Sequence, residues 1–204
     1  MDNSLLMRDS TEGDGKAEIV MDYIMSWSLR HAVTDETSKK TPRLHHYCRY
    51  MLYKLLQLDA PLKQIVFEKV EVWKEWQNMD LCVEVKLKNN GKGENYALLV
   101  ENKYYSKLQN NQLQRYQAIF DAYYIKKNED IKEDEYKWQL RRKLISCFEY
   151  KEQVDKMYSK GIEGTDFVAL PFYDLLCPEY WNDKTGKYDD SESEIFNEFW
   201  LRRW

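Results

Sequence analysis

The residues of this chain best suited to chemistry lie between Asn78 and Tyr116, where Asp80 precedes the triplet Glu101-Asn102-Lys103. Asp80 sits at the start of Met79 to Leu87, in which apolar and polar side chains alternate, and Glu101 and Lys103 come near the end of a second stretch, Tyr96 to Tyr104. A period of two marks a strand, whose side chains leave opposite faces in turn. On that basis Ala97, Leu99, Glu101 and Lys103 share one face. Asp80, Cys82 and Glu84 share a face of the preceding strand, while Leu81, Val83 and Val85 take the other. A hairpin of the two strands sets Asp80 beside Glu101. Carboxylates held that close repel one another unless a cation sits between them. Mg²⁺ is the natural occupant, with Mn²⁺ as its substitute, because these ions take hard oxygen ligands. Lys103 then helps to orient and activate water and stabilises charge building on a phosphate.

Glu-x-Lys is a weak signal by itself, and it recurs here at Glu84-Val85-Lys86 and Glu135-Tyr136-Lys137. Only Glu101 follows a continuous apolar run, Tyr96 to Val100, of the kind expected in a strand buried on both faces, where a charge needs a reason. The plain alternative is a solvated strand end with a surface ion pair between Glu101 and Lys103.

The order Asp, Glu-x-Lys, Gln-x-x-x-Tyr from Asp80 through Tyr116 resembles the PD-(D/E)XK nuclease superfamily. The likeness is strongest to bacterial members with an IENK strand followed by a QLxxY helix, matched here by Val100-Glu101-Asn102-Lys103 and Gln112-Leu113-Gln114-Arg115-Tyr116. The resemblance implies an α/β fold with a restriction-endonuclease-like core, a central mixed β-sheet flanked by helices. It implies a metal-dependent endonuclease that hydrolyses phosphodiester bonds of DNA, with RNA open as a substrate, in a setting such as bacterial defence. Asp80 and Glu101 would be metal ligands, Lys103 the catalytic lysine, and Gln112 a helix residue facing the site. An acid on the first helix often joins them in the family; Glu18 is the best match, with Asp22 one turn on as its competitor. The family's proline before the aspartate is Met79 here. A reading from a different class is a catalytically inactive nuclease-fold module for nucleic-acid or protein interaction.

These residues need scaffolding on both sides. Residues 1–15 are polar and suggest a disordered tail, followed by a single domain over 16–204. Ile19, Val20, Tyr23, Ile24, Trp27 and Leu29 fall near helical spacing over 17–32, and Leu44, Tyr47, Tyr50, Met51 and Leu55 do so over 44–58. Strands are expected at 65–76, 79–88, 96–104 and 166–172, with Asn89 to Gly93 as a turn. A helix over 110–127 presents Leu113, Tyr116, Ile119, Phe120 and Tyr123, a strand is favoured for Lys143 to Tyr150, and Ser191 to Trp204 has the pattern of a last amphipathic helix.

Composition constrains the partners. A net charge of −4 excludes gripping nucleic acid by overall charge, so a DNA contact needs local basic groups or metal ions. Tyr104 and Tyr105 could stack on bases, and Lys107, Arg115, Lys126 and Lys127 could supply positive surface, although core packing and a solvated helix face explain them too. Four cysteines with no Cys-x-x-Cys pair argue against a zinc knuckle or disulfide framework. His45 and His46, adjacent on a helix, point about 100° apart and make a poor metal pair, which leaves a structural or surface role. No secretion signal and no apolar run of membrane-spanning length are visible, so a cytoplasmic protein without a membrane partner is expected. Cutting both strands would suit a homodimer.

Overall fold

The computed structural model describes residues 4–6, 16–104, 108–132, 135–146, 151–158, 161–162 and 164–202. Two helices, α1 (Lys16–Arg30) and α2 (Pro42–Leu56), precede three long strands, β1 (Ile65–Trp76), β2 (Met79–Asn89) and β3 (Lys92–Lys103). Helix α3 (Gln112–Glu129), strand β4 (Trp138–Ser146), helix α4 (Lys151–Tyr158) and strand β5 (Val168–Pro171) follow. The five strands form one mixed sheet in sequence order, antiparallel from β1 to β3 and parallel from β3 to β5. The mixed sheet flanked by helices is the architecture expected from the sequence.

The hairpins set the register. β3 starts four residues earlier than the alternation suggested, because the turn uses only Asn90 and Gly91, both at positive φ, and Asn89 pairs directly with Lys92. Gln77 and Asn78, also at positive φ, turn β1 into β2 in the same way. β4 begins at Trp138, ahead of the expected Lys143, while residues 147–150 lie outside the described residues. The terminal helix is shorter than its pattern: α5 (Glu194–Phe196) runs into a single π-turn, Asn197–Leu201. A short hairpin of β6 (Trp181–Asn182) and β7 (Lys187–Tyr188) precedes it.

Apolar side chains fill both faces of the sheet. On one, α1, α2 and the C-terminal aromatics Phe196, Phe199 and Trp200 cover Leu81, Val83, Val85, Leu98 and Val100. On the other, Leu113, Tyr116, Phe120 and Tyr124 of α3 cover Cys82, Ala97 and Leu99. The central strand β3 is therefore buried from Asn95 through Asn102, and only its ends can carry exposed chemistry. α1 packs on a different stripe from the one its larger residues suggest. Ala17, Met21, Met25 and Leu29 are buried at a spacing of four, whereas Ile19 and Tyr23 are exposed. Lys74 lies over the Tyr23 ring at 3.0 Å and covers part of it. Of the stretch expected to be a loose tail, residues 4–6 are described: Ser4 Oγ and the Leu5 and Leu6 N–H groups donate to Glu198. No described helix is long and apolar enough to cross a membrane.

Candidate active site

The antiparallel register pairs Leu81 with Val100, so one step further Asp80 stands opposite Glu101 on the α3 side of the sheet. Glu101 is 1% exposed. Its Oε1 accepts from Lys103 Nζ at 2.6 Å and from Gln112 Nε2 at 2.7 Å. Its Oε2 is buried without a hydrogen-bond partner. The Asp80 carboxyl comes within hydrogen-bonding reach of Glu101, and its Oδ2 accepts from the Asn102 N–H at 2.7 Å. Burial, then repulsion from Asp80, pushes the Glu101 carboxyl up to about 8. Burial also raises Asp80, although the Asn102 N–H and Lys103 oppose it. For Lys103, burial acts to lower its pKa, but Glu101, Asp80 and Glu18 together outweigh it and the net shift is upward. Lys103 is therefore a fixed positive charge at neutral pH.

α1 supplies two more carboxylates. Because Ala17 and Met21 face the sheet, Glu18 and Asp22 lie one residue round the helix from them and reach the end of β3. Asp22 Oδ1 accepts from the Asn102 side chain at 2.6 Å, and Glu18 Oε1 accepts from the Tyr104 N–H at 2.9 Å. Burial, then the charge of Asp80, raises Asp22 to about 7. Both acids reach the cluster, so the structure does not separate Glu18 from its competitor.

The start of α3 holds Glu101 from the other side. Gln112, the first residue of the helix, accepts from the Gln109 N–H at 3.2 Å through Oε1. Its Nε2 donates to Glu101 and, at 3.4 Å, to the hydroxyl of Tyr116 one turn on. That geometry gives Gln-x-x-x-Tyr a physical meaning: residues four apart stack on one helix face. Asp22, Asp80 and Glu101, with Glu18 nearby, gather hard oxygen donors at this end of the sheet, close enough for their charges to act on one another, but among the described residues no three of them converge as tightly as a single ion requires.

The remaining sequence candidates separate. Tyr104 packs, partly buried, against the core on the α1 side, and Arg115 is exposed on α3 with its guanidinium 5.3 Å from the Tyr116 ring. Tyr105 and Lys107 lie outside the described residues. Lys126 is exposed, whereas Lys127 is engaged by Glu84 and is not a free positive charge. Two participants escaped the sequence. Asn102, the variable position of Glu-x-Lys, bridges Asp80 through its backbone and Asp22 through its side chain. Tyr158 of α4 comes close enough for the Lys103 charge to act on its phenol. Asn102 sits inside the motif and was legible in principle, but nothing local marks Tyr158.

A family model described as the PD-(D/E)XK nuclease superfamily matches residues 22–176, most of the chain and every sheet strand from β1 to β5. No curated protein and no solved structure matches.

Proposed function

The chain belongs to the PD-(D/E)XK nuclease superfamily, and from that premise we propose a Mg²⁺-dependent endonuclease that hydrolyses DNA phosphodiester bonds, with Mn²⁺ able to replace Mg²⁺. One observation carries the reading: Oε2 of Glu101, buried and without a donor, faces a site ringed by further carboxylates. A buried acceptor left open costs free energy unless something positive meets it. The donors are all hard oxygens, which fit Mg²⁺ or Mn²⁺ better than a soft metal. Asp80 and Glu101 would hold the ion, with Glu18 or Asp22 as the acid from α1.

When bound, the ion supplies Lewis-acid charge to the scissile phosphate and acidifies water. The chain's own groups do the rest. Lys103, whose carboxylate neighbours favour its charged form, serves as a positive charge beside the phosphate and an orienting donor to water. Gln112 is a positioning residue. It occupies Oε1 of Glu101 and so leaves Oε2 as the oxygen without a donor. The exposed Arg115, with Tyr104, Tyr105 and Lys107 after the lysine, would contact the nucleic-acid backbone and bases. Action in the cytoplasm, as a homodimer where both strands are cut, fits this reading.

The test is incubation of circular and linear DNA, and of RNA, with the protein in Mg²⁺ or Mn²⁺. Metal-dependent nicking of circular DNA that EDTA stops supports the reading. No cleavage of any of these substrates, with no metal-induced rise in Tm, favours the inactive interaction module instead.

A further inference from the structure

A second set of metal-type donors lies outside this cluster, where α2 meets the turns that follow β5. A ring nitrogen of His46, Cys177 Sγ and a carboxylate oxygen of Glu179 all fall within 4.8 Å of one another. His46 Nε2 and Glu179 Oε2 are 3.4 Å apart. A tetrahedral ion with metal–nitrogen and metal–oxygen bonds of about 2.0–2.1 Å places such a pair roughly 3.4 Å apart.

Nε2 of His46 is buried and meets the Glu179 carboxylate only at 3.4 Å, at the long end of hydrogen-bonding range. Cys177 is a free thiol with no exposed surface. Burial pushes the Cys177 thiol up to about 11, although the backbone N–H groups of Glu179 and Tyr180 turn toward its sulfur and act against that shift. Glu179 is largely exposed, which leaves one side open and lets its carboxylate swing inward.

We infer that His46, Cys177 and Glu179 form a binding site for a zinc-class divalent ion, with a fourth position open to water. Thiolate, imidazole and carboxylate together suit Zn²⁺ and not the Mg²⁺ favoured by an all-oxygen cluster. Binding forms a metal–sulfur bond and releases the Cys177 proton to solvent, without any redox change. The ion clasps α2 to the C-terminal turns, which already meet it through Tyr47, whose ring packs on Tyr180 and whose hydroxyl donates to the Asp189 carbonyl.

Co²⁺ is the probe, titrated into the full-length chain carrying Glu101→Gln so that the acidic cluster does not compete. The expected result is a thiolate-to-cobalt charge-transfer band in the near ultraviolet with intense visible bands of a tetrahedral ion, both removed by added Zn²⁺. Cys177→Ser abolishes the near-ultraviolet band. His46→Ala and Glu179→Gln, at side chains partly or largely exposed, weaken binding by at least about tenfold and keep the test open should Cys177→Ser misfold. Absence of the charge-transfer band, its persistence in Cys177→Ser, or unchanged affinity in both His46→Ala and Glu179→Gln would each overturn the site. None of these results bears on DNA cleavage.

Discussion

Glu101 and Glu84 lie on adjacent strands of one sheet, point to the same face and each begin a Glu-x-Lys triplet, yet their surroundings differ in kind. Glu84, opposite Ala97, accepts from the Tyr124 hydroxyl at 2.9 Å and from the Lys127 ammonium, both brought by the far end of α3. Lys86, two residues on, is exposed. Glu101 instead faces Asp80, with Asp22 and Glu18 beyond, and its second oxygen has no donor. Around Glu84 the donors suffice for the charge, whereas around Glu101 the carboxylates outnumber them. The triplet is common to both; the balance of donors and acceptors supplied by other elements is not.

The largest expected effect is on cleavage. Lys103→Ala and Glu101→Gln should each lower Mg²⁺-dependent cleavage by at least about 10²–10³-fold, because each removes charge that acts on the transition state. Lys86→Ala should leave cleavage within about twofold, since its side chain is solvated. Loss of activity in Lys86→Ala with retention in Lys103→Ala would reverse the assignment of the two triplets.

Stability should move the opposite way. Glu84→Gln strips the Lys127 ammonium of its charged partner and should destabilise by about 1–3 kcal/mol, roughly 2–10 °C in Tm for a domain of this size. Glu101→Gln removes repulsion from Asp80, so the metal-free protein should melt at the same temperature or higher, and added Mg²⁺ should no longer raise Tm. A thermal melt in EDTA and in Mg²⁺ separates them; equal losses in both variants would mean that Glu101 is as well satisfied as Glu84.

A smaller effect follows from protonation. In the metal-free fold Asp22 stands at about 7 and Glu101 at about 8, above ordinary values of 3.8 and 4.5. The folded chain therefore keeps protons that the unfolded chain has released. The stability this contributes is complete below the unfolded values and is lost as pH rises through about 7 to 8. Tm in EDTA should fall across that window, and the fall should shrink in Asp22→Asn and Glu101→Gln. Lys143 opposes it from the other face of the sheet. Fully buried and without a partner, it is held down to about 7 from 10.5, so its contribution improves as pH climbs between those values. Lys143→Met should raise Tm most below about pH 7, and the gain should fade toward pH 10.5. A gain independent of pH would show that Lys143 titrates alike in the folded and unfolded chains.

The smallest expected effect is at Gln112. Gln112→Ala leaves Glu101 Oε1 with Lys103 alone, and cleavage should fall by about tenfold while the pH at half-maximal rate shifts. A change in Tm with no change in either rate or pH profile would reduce Gln112 to a packing residue.

Alternation along residues 79–87 and 96–104 was enough to place Asp80, Glu101 and Lys103 on one face, and Asn90-Gly91 was enough to turn one strand into the next, because both follow from geometry within a few residues of chain. Gln112 was legible because a fixed offset to Tyr116 puts both on one helix face. The packed stripe of α1 was not. The unbranched Met21 and Met25 fit against the sheet better than the larger Tyr23, and only the facing strands determine that. The apolar run before Glu101 sets it apart from Glu84 in the sequence, but what distinguishes them physically comes from distant segments: Tyr124 and Lys127 for one, Asp22 and Asp80 for the other. The meeting of His46 with Cys177 and Glu179 lies further still from any local pattern, since its ligands come from a helix and from turns that follow the whole sheet. Sequence alone determined which side chains each strand and helix could present. Tertiary structure decided which of them meet a donor, a second carboxylate or an open oxygen, because charge and hydrogen bonding act between neighbours in space, and those neighbours are chosen by packing.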